Sequence, residues 1–368
     1  MNLGERLKKA REAIGYTQTE AAKKAGLGGA PAISELESNI REPKFSQLSK
    51  LAETYHKSVE FFFSENIPAE SILLWRSSPV NETDRKKIEV EFEELCEQYS
   101  KLEALTDELR NIRLPEPDCK DSDRFQFRDA YTLAHKTARE FSLGDIPTTS
   151  LKLILEEKYY VKIFHLPFEG SAVSTVDQFG YAILLNSNES TKEWRRNYDL
   201  AHELFHLLTW NIFRKKAEDC TPSDLEEKFA NAFASALLMP EELLKDKIRR
   251  YSDNTGQITF DKLDDIAREF GVSLEALLIR LNYVYDKKDE SETKRYIEIA
   301  KRHKKPRLSS IPDKLPERYC ALAERALREG KLSLLQFAKF MGVSYKKAQE
   351  YLTEDEDFTD EKISIVNA

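Results

Sequence analysis

Cysteine, histidine and tryptophan are scarce in this chain, and long apolar runs are absent. Its 368 residues hold four Cys, six His and three Trp. Cys96, Cys119, Cys220 and Cys320 lie far apart with no Cys-x-x-Cys among them, which excludes a disulfide framework and suits reduced cytosolic thiols. No stretch of eighteen or more apolar residues occurs and the N-terminus is amphipathic, not signal-like, so no membrane partner is expected. An excess of positive charge is missing too. Lys and Arg number 57 against 65 Asp and Glu, a formal charge of −8. No global basic field draws such a chain to nucleic acid, so any DNA binding has to be local. The length allows two or three domains with real cores. The expectation is a soluble, cytoplasmic protein.

Against this scarcity, two of the six histidines stand four residues apart in LAHELFHLLTW, residues 200–210. On a helix, His202 and His206 fall one turn apart on the same face, where both imidazoles can reach one metal ion. Glu203 lies roughly 100° round from His202, within reach of a water as general base. Leu200, Leu204, Phe205, Leu207 and Leu208 make the helix apolar on most sides, as in a domain core. By composition a His-acid-x-x-His should occur only about 0.02 times, so chance is a poor account of it.

A zinc site needs a third protein ligand and an open position for water. A metzincin would carry a third His at position 212, which is Ile, and Gly at 209, which is Thr. A carboxylate on the next helix is the better candidate. PSDLEEKFANAFASALLMP (222–240) reads as that helix, started near Ser223 and stopped by Pro240. Glu226 and Glu227 both precede its apolar run. Asn231 lies one turn after Glu227, an arrangement that can fix a metal-bound His from behind, which favours Glu227 as the ligand. RRNYDLAHELFHLL followed by EEKFANAFASALLMP resembles the ImmA/IrrE family of metallo-endopeptidases, over roughly residues 125–285. That resemblance implies Zn²⁺ on His202, His206 and Glu227, with Glu203 as catalytic base and a protein substrate, often a helix-turn-helix repressor. Arg195, Tyr198 and His165 are unranked candidates for stabilising the oxyanion.

Residues 1–66 read as five short helices separated by Gly, Asn and Pro signals. Thr17 begins the second, with Glu20 at the capping-box position, and Gly26 stops it. Thr17-Gln18, Ala21-Ala22, Gly26, Ile33-Ser34, Leu36-Glu37, Pro43 and Leu51-Ala52 resemble the Cro/CI-type (XRE) helix-turn-helix family. In such a domain Gln18 and the third helix face DNA. The third helix, Gly28 to Glu37, contains no Arg, Lys, Gln or Asn to read base edges. Residues 1–66 hold ten Lys or Arg against nine Asp or Glu, a small electrostatic footprint. Gln18, Lys23, Lys24, Ser34, Asn39 and Arg41 are the expected DNA contacts. The competing reading is a protein-interaction or dimerisation module.

The remainder is connector and support. Asn81 to Arg110 reads as a long acidic helix with Ile88, Phe92, Leu95, Tyr99, Leu102 and Leu109 in 4-3 alternation. This is either the seam of a possible homodimer or a packing face within the chain. Residues 159–166, 172–176 and 181–186 read as three strands, one of whose edges can hold an extended peptide. Residues 286–310 are a charged linker, with Lys301, Arg302, Lys304, Lys305 and Arg307 as a secondary nucleic-acid candidate. Residues 315–352 form a last helical module, followed by an acidic tail.

The resulting expectation is an α+β, mostly α chain in four parts: a helix-turn-helix domain (1–66), a connector with a long amphipathic helix (67–123), a zincin-like peptidase domain with a small sheet (124–285), and a charged linker with a helical module (286–368). Functionally this reads as a transcriptional regulator whose zinc endopeptidase cleaves a repressor to control stress-response or mobile-element genes. The alternative is a DNA-binding or antitoxin-like protein whose peptidase fold senses a ligand with little or no proteolysis.

Overall fold

The computed structural model describes residues 2–57, 59–63, 72–76, 81–110, 112–214, 221–286, 290–302 and 309–353. Cys220, Lys304, Lys305, Arg307 and the acidic tail after Thr353 lie outside them. The chain divides into two units, residues 1–94 with 112–314, and residues 95–111 with 315–368.

The first unit opens with α1 (Leu3–Ala13), α2 (Gln18–Ala25), α3 (Ala30–Glu37) and α4 (Phe45–Thr54). The fifth expected helix is a single 3-10 turn, Glu60–Phe62. Thr17 accepts from the Glu20 amide and Glu20 returns the bond, while Gly26 ends α2 at φ 63°, a left-handed conformation in which glycine is unstrained. Leu7, Ala21, Ile33, Leu36, Leu51 and Tyr55 fill the core. At Gly4 a Cβ would meet the Glu37 carbonyl at 2.4 Å, so α1 approaches the end of α3 as closely as only glycine permits. One polar group is locked inside. Arg11 reaches the Glu37 carboxylate through Nε at 2.6 Å and Nη2 at 3.0 Å, and donates Nη1 to the Tyr16 carbonyl at 2.7 Å.

Next come β1 (Leu74–Arg76) and α5 (Glu82–Leu105), which ends earlier than the periodicity suggested. Phe92, Leu95, Tyr99 and Leu102 of the α5 stripe are buried, whereas Ile88 is half-buried and Leu109, beyond the end of the helix, is 60% exposed. Phe92 meets Phe164 edge-on at 6.2 Å in the first unit, and Tyr99 meets Tyr319 at 5.3 Å in the second. Thr106, the polar place in the seam, turns its hydroxyl to the Leu102 carbonyl at 2.8 Å.

Then follow α6 (Phe127–Phe141), α7 (Pro147–Glu157), β2 (Lys162–Leu166), β3 (Ala172–Asp177), β4 (Gly180–Asn186), α8 (Glu193–Phe213) and α9 (Asp224–Leu238). The sheet runs in the order β1-β3-β4-β2, antiparallel at β1/β3 and β3/β4 and parallel at β4/β2. Sequence reasoning found three strands and left the fourth in the connector. Three residues are too few for an alternation pattern to declare itself. The outer edge of β3 is therefore occupied by β1, and the edges of the sheet are β1 and β2.

Helix α8 lies between the sheet and α9, and Leu204, Phe205, Phe233 and Leu237 are fully buried where they meet. The same core takes in α10 (Glu241–Tyr251), α11 (Phe260–Glu269) and α12 (Leu274–Val284), and α13 (Glu290–Arg302) adds Ala300. The turn between α11 and α12 is made at Gly271, which sits at φ 63° and where a Cβ would fall 2.7 Å from Thr148 Oγ1. In the second unit, α14 (Glu317–Arg328), α15 (Leu334–Met341) and α16 (Tyr345–Thr353) join the C-terminal part of α5. Arg318 reaches Glu103 at 2.6 Å in a half-buried contact, and Tyr319 donates to Gln98 at 2.9 Å in a buried one.

The Arg11–Glu37 pair makes a stability prediction. Arg11→Ala strands a carboxylate whose side chain is 5% exposed, and removing one partner of such a pair costs about 3–5 kcal/mol. Thermal unfolding should show that loss in Arg11→Ala and recover most of it in Arg11→Met/Glu37→Leu. A single variant as stable as the parent would contradict it.

Candidate functional site

Helix α8 is buried almost all round, so its polar side chains need partners other than water. Asp199, His202 and Glu203 are 0% exposed and His206 is 2% exposed. The i, i+4 spacing brings the two imidazoles together, with His202 Nε2 and His206 Nε2 3.2 Å apart. Helix α9 starts at Ser223, whose Oγ accepts from the Glu226 amide at 3.1 Å. That start aims Glu227 between the rings, 3.2 Å from His202 Nε2 and 3.3 Å from His206 Nε2. The ligand atoms of His202, His206 and Glu227 all lie within 4.8 Å of one another.

Each imidazole is held from behind. Asn231 Oδ1 lies 3.1 Å from His202 Nδ1, and Glu226 Oε1 lies 3.0 Å from His206 Nδ1. Glu226 is in turn paired with Arg214. With Nδ1 donating outward, each ring turns its Nε2 lone pair toward the shared point. Two lone pairs 3.2 Å apart and beside a carboxylate repel unless a cation or proton stands among them. This donor set fits a metal ion with nitrogen and oxygen ligands. The side chain of Glu227 is 31% exposed, so the cluster is open on its side.

In the metal-free protein the charges settle unequally. Burial pushes His202 down to about 3. Burial also works against the His206 imidazolium, but bonds to Glu226 and Glu227 outweigh it and lift His206 to about 9. Burial opposes the Glu227 carboxylate as well, yet its contacts with the two imidazoles hold it well below the usual carboxylate range.

Glu203 points elsewhere. Its Oε2 accepts from Ser174 Oγ on β3 at 2.6 Å, and its Oε1 is buried with no hydrogen-bond partner among the described residues. Burial lifts its pKa to about 7, in the range that suits a general base near neutral pH. Asp199, one turn before His202, lies between Arg76 of β1 and Arg195, the latter at 3.1 Å. Of the three oxyanion candidates, Tyr198 donates its hydroxyl to the Asn231 carbonyl at 3.0 Å, and Arg195 is tied to Asp199 and Ser171. His165 is on β2, two strands from Ser174. A cavity of about 1180 Å³ opens beside the site, and Arg195, Tyr198 and Asn231 belong to its wall.

Sequence reasoning missed Ser174, Arg76, Asp199 and the service of Glu226 behind His206. The last alone had a local signal, since Glu226 adjoins the residue assigned as ligand and the two carboxylates serve opposite sides of one imidazole.

The N-terminal candidates are less concerted. Lys23, Lys24 and Ser34 are exposed, with Lys24 Nζ 5.1 Å above the Tyr16 ring. The other three have side-chain partners within the domain, although Asn39 and Arg41 are exposed as well. Gln18 donates to Glu37 at 2.9 Å, and Arg41 pairs with Glu35 at 3.3 Å. Asn39 accepts from the Gly4 amide at 2.9 Å and donates to Asn2 at 2.8 Å, so its side chain fastens the start of α1. The solvent face of α3 presents Pro31, Ser34, Glu35 and Ser38, which agrees with the lack of base-reading side chains there.

Residues 156–282 match the peptidase family model described as the IrrE N-terminal-like domain, and residues 7–62 match the helix-turn-helix model. The chain thus joins an XRE-type helix-turn-helix domain to an IrrE/ImmA-like domain. Among curated proteins, the HTH-type transcriptional regulator ImmR of Bacillus subtilis (strain 168) is 39% identical over 66 residues, which are 18% of this chain and 51% of ImmR. The chain therefore spans about half the length of the curated relative it matches. Among solved structures, the crystal structure of Bacillus thuringiensis PlcR in complex with the peptide PapR7 and DNA aligns over 98% of this chain and 99% of that one. Its identity is 14% and its TM-score 0.16, too low to establish a shared fold.

The buried Glu203 carboxyl makes a prediction that needs no substrate. Glu203 rises from an ordinary 4.5 to about 7, a shift worth about 3 kcal/mol at most. An acid whose pKa is raised on folding destabilises the fold increasingly as pH climbs from its unfolded value to its folded one, and fully above. Glu203→Gln should therefore melt higher than the parent in chelator, with a small gain at pH 5 and a larger one at pH 8. An equal gain at both would mean that Glu203 titrates normally.

Proposed function

We propose that this chain is a DNA-binding regulator of transcription that carries a zinc-dependent endopeptidase acting on a protein substrate. The observation behind the reading is the convergence of His202 Nε2, His206 Nε2 and the Glu227 carboxylate beside a base with one unpartnered oxygen. His202, His206 and Glu227 would hold zinc. When bound, zinc polarises a peptide carbonyl and makes attack by water feasible at neutral pH.

The chain's own residues carry the rest. Asn231 and Glu226 orient the imidazoles. Ser174 fixes Glu203 through Oε2, which leaves Oε1 to take a proton from the attacking water and deliver it to the departing amide nitrogen. The cavity beside Asn231 provides room for a substrate segment. A helix-turn-helix repressor is the substrate class that the sequence resemblance favours. The N-terminal domain would contact DNA mainly through phosphates, with Lys23, Lys24 and Ser34 exposed for that purpose.

The purified protein should contain about one zinc per chain, and His202→Ala or Glu227→Ala should lose it. Glu203→Gln should keep the metal and lose about 100-fold or more in cleavage of a repressor substrate. Cleavage at parental rate in Glu203→Gln would remove the base from its role, and full occupancy in Glu227→Ala would move the third ligand elsewhere. Metal without any cleavage would favour the sensing alternative.

DNA binding should weaken steeply with salt. Lys23→Ala/Lys24→Ala should weaken it uniformly across sequences and lower the log–log salt slope by about 2. An unchanged slope would place the phosphate contacts on other residues.

A further inference from the structure

Strand β1 comes from the connector, outside the segment 156–282 that matches the peptidase family, yet it delivers a charged group to the metal centre. It pairs antiparallel with β3, placing Leu74 opposite Ser174, the residue that holds Glu203. Arg76 at its end turns inward, its side chain 11% exposed. One nitrogen of the guanidinium pairs with Asp199, and Nη2 donates to Asn231 Oδ1 at 3.2 Å. The group also lies 5.5 Å from the centroid of the Tyr198 ring, whose hydroxyl bonds the Asn231 carbonyl.

The chemistry of this contact is one-sided. A guanidinium only donates, so the Asn231 atom facing it has to be the amide oxygen. The same oxygen faces His202 Nδ1 at 3.1 Å, and an oxygen there requires Nδ1 to carry the hydrogen. That leaves Nε2 unprotonated, with its lone pair directed at the point shared with His206 and Glu227. Were the amide reversed, Asn231 would offer N–H groups to Nδ1, and the proton of the neutral imidazole would move to Nε2, where a ligand lone pair is needed.

We propose that Arg76 is a positioning residue of the metal centre, which fixes the amide orientation of Asn231 and through it the Nδ1–H tautomer of His202. The inference rests on the reading of His202 as a ligand, but its first consequence exists in the metal-free protein.

Strand β1 is well placed to hold such a group still. Leu74 is 1% exposed. Trp75 donates Nε1 to Glu89 of α5 at 2.7 Å and packs edge-on against Phe168 at 5.6 Å. Glu89 is itself paired with Arg85 at 2.8 Å. The arginine that sets the tautomer is thus anchored from both sides, by α5 through Trp75 and by α8 through Asp199. A lysine is a poor substitute, because its single nitrogen would have to reach both Asp199 and Asn231, which the planar guanidinium meets with separate nitrogens.

The test uses the full chain and two measurements. ¹⁵N NMR of the imidazoles in chelator should show His202 as the Nδ1–H tautomer in the parent and a mixture or the reverse in Arg76→Ala. Competition with a chromophoric chelator should then show zinc held about tenfold less tightly by Arg76→Ala, the lower end of the range for outer partners of a metal-bound His. Arg76→Lys should restore the melting temperature by neutralising Asp199 while leaving tautomer and affinity impaired. It also serves as the test variant if the alanine protein does not fold. In an Asn231→Ala background, Arg76→Ala should weaken zinc no further, since both act through one bond.

A His202 that stays in the Nδ1–H form in both Arg76 variants would overturn the proposal, as would a second tenfold loss in the Asn231→Ala background. A parent that shows the tautomer shift but binds no zinc would instead defeat the peptidase reading and leave the Arg76 assignment standing.

Discussion

Four ionisable side chains on one helix buried from water set the terms for the IrrE/ImmA-like domain. Asp199, His202, Glu203 and His206 occupy two turns of α8 and are 0–2% exposed. Burying a charge or hydrogen-bonding group without a partner costs more than most single packing contacts return. Each neighbouring element accordingly brings a polar group to a particular atom. Strand β3 brings Ser174 to Glu203, β1 brings Arg76 to Asp199, and α9 brings Asn231, Glu227 and Glu226 to the two rings. Within these four side chains, the atom left without a hydrogen-bond partner among the described residues is Glu203 Oε1. On the proposed reading, that oxygen is the one free to take a proton.

What could be read in the sequence was what is local in it. The His-Glu-x-x-His spacing, the Ser223 start, the Pro240 stop and the place of Glu227 beside the two rings all depend on residues within a helix or its cap. The same holds for the capping box of α2 and the Gly26 terminus. The unread parts are long-range. Ser174 is 29 residues from Glu203, and Arg76 is 123 from Asp199 and 155 from Asn231. No periodicity encodes such pairings. The 4-3 stripe of α5 shows a related limit. It announced a face to be buried, but not that Phe92 would meet Phe164 and Tyr99 would meet Tyr319.

The helix-turn-helix domain follows the same rule with different results. Side chains of the type that contacts DNA were legible by position, yet Gln18, Asn39 and Arg41 have partners inside the domain. Gln18 joins the Arg11–Glu37 pair, and Asn39 closes the start of α1, where Gly4 already permits close approach. Polar residues at a turn serve the backbone first when an unpaired amide is near. Sequence shows the residue type and not this competition.

The placement of β1 has a consequence for the order of assembly. A ribosome releases the chain from its N-terminus, and N-terminal domains fold while the rest is still being made. Residues 2–57 can bury most of their core early, since Leu7, Ile33 and Leu51 share it mainly with near neighbours, and of its buried residues only Phe62 and Val90 come from further along. Arg76 emerges with no acceptor of its own. Ser174 of β3 comes about a hundred residues later, then Asp199, and Asn231 last of all. The connector strand must wait unpaired while about a hundred residues are made, and the site it helps to organise is complete only when α9 has left the ribosome.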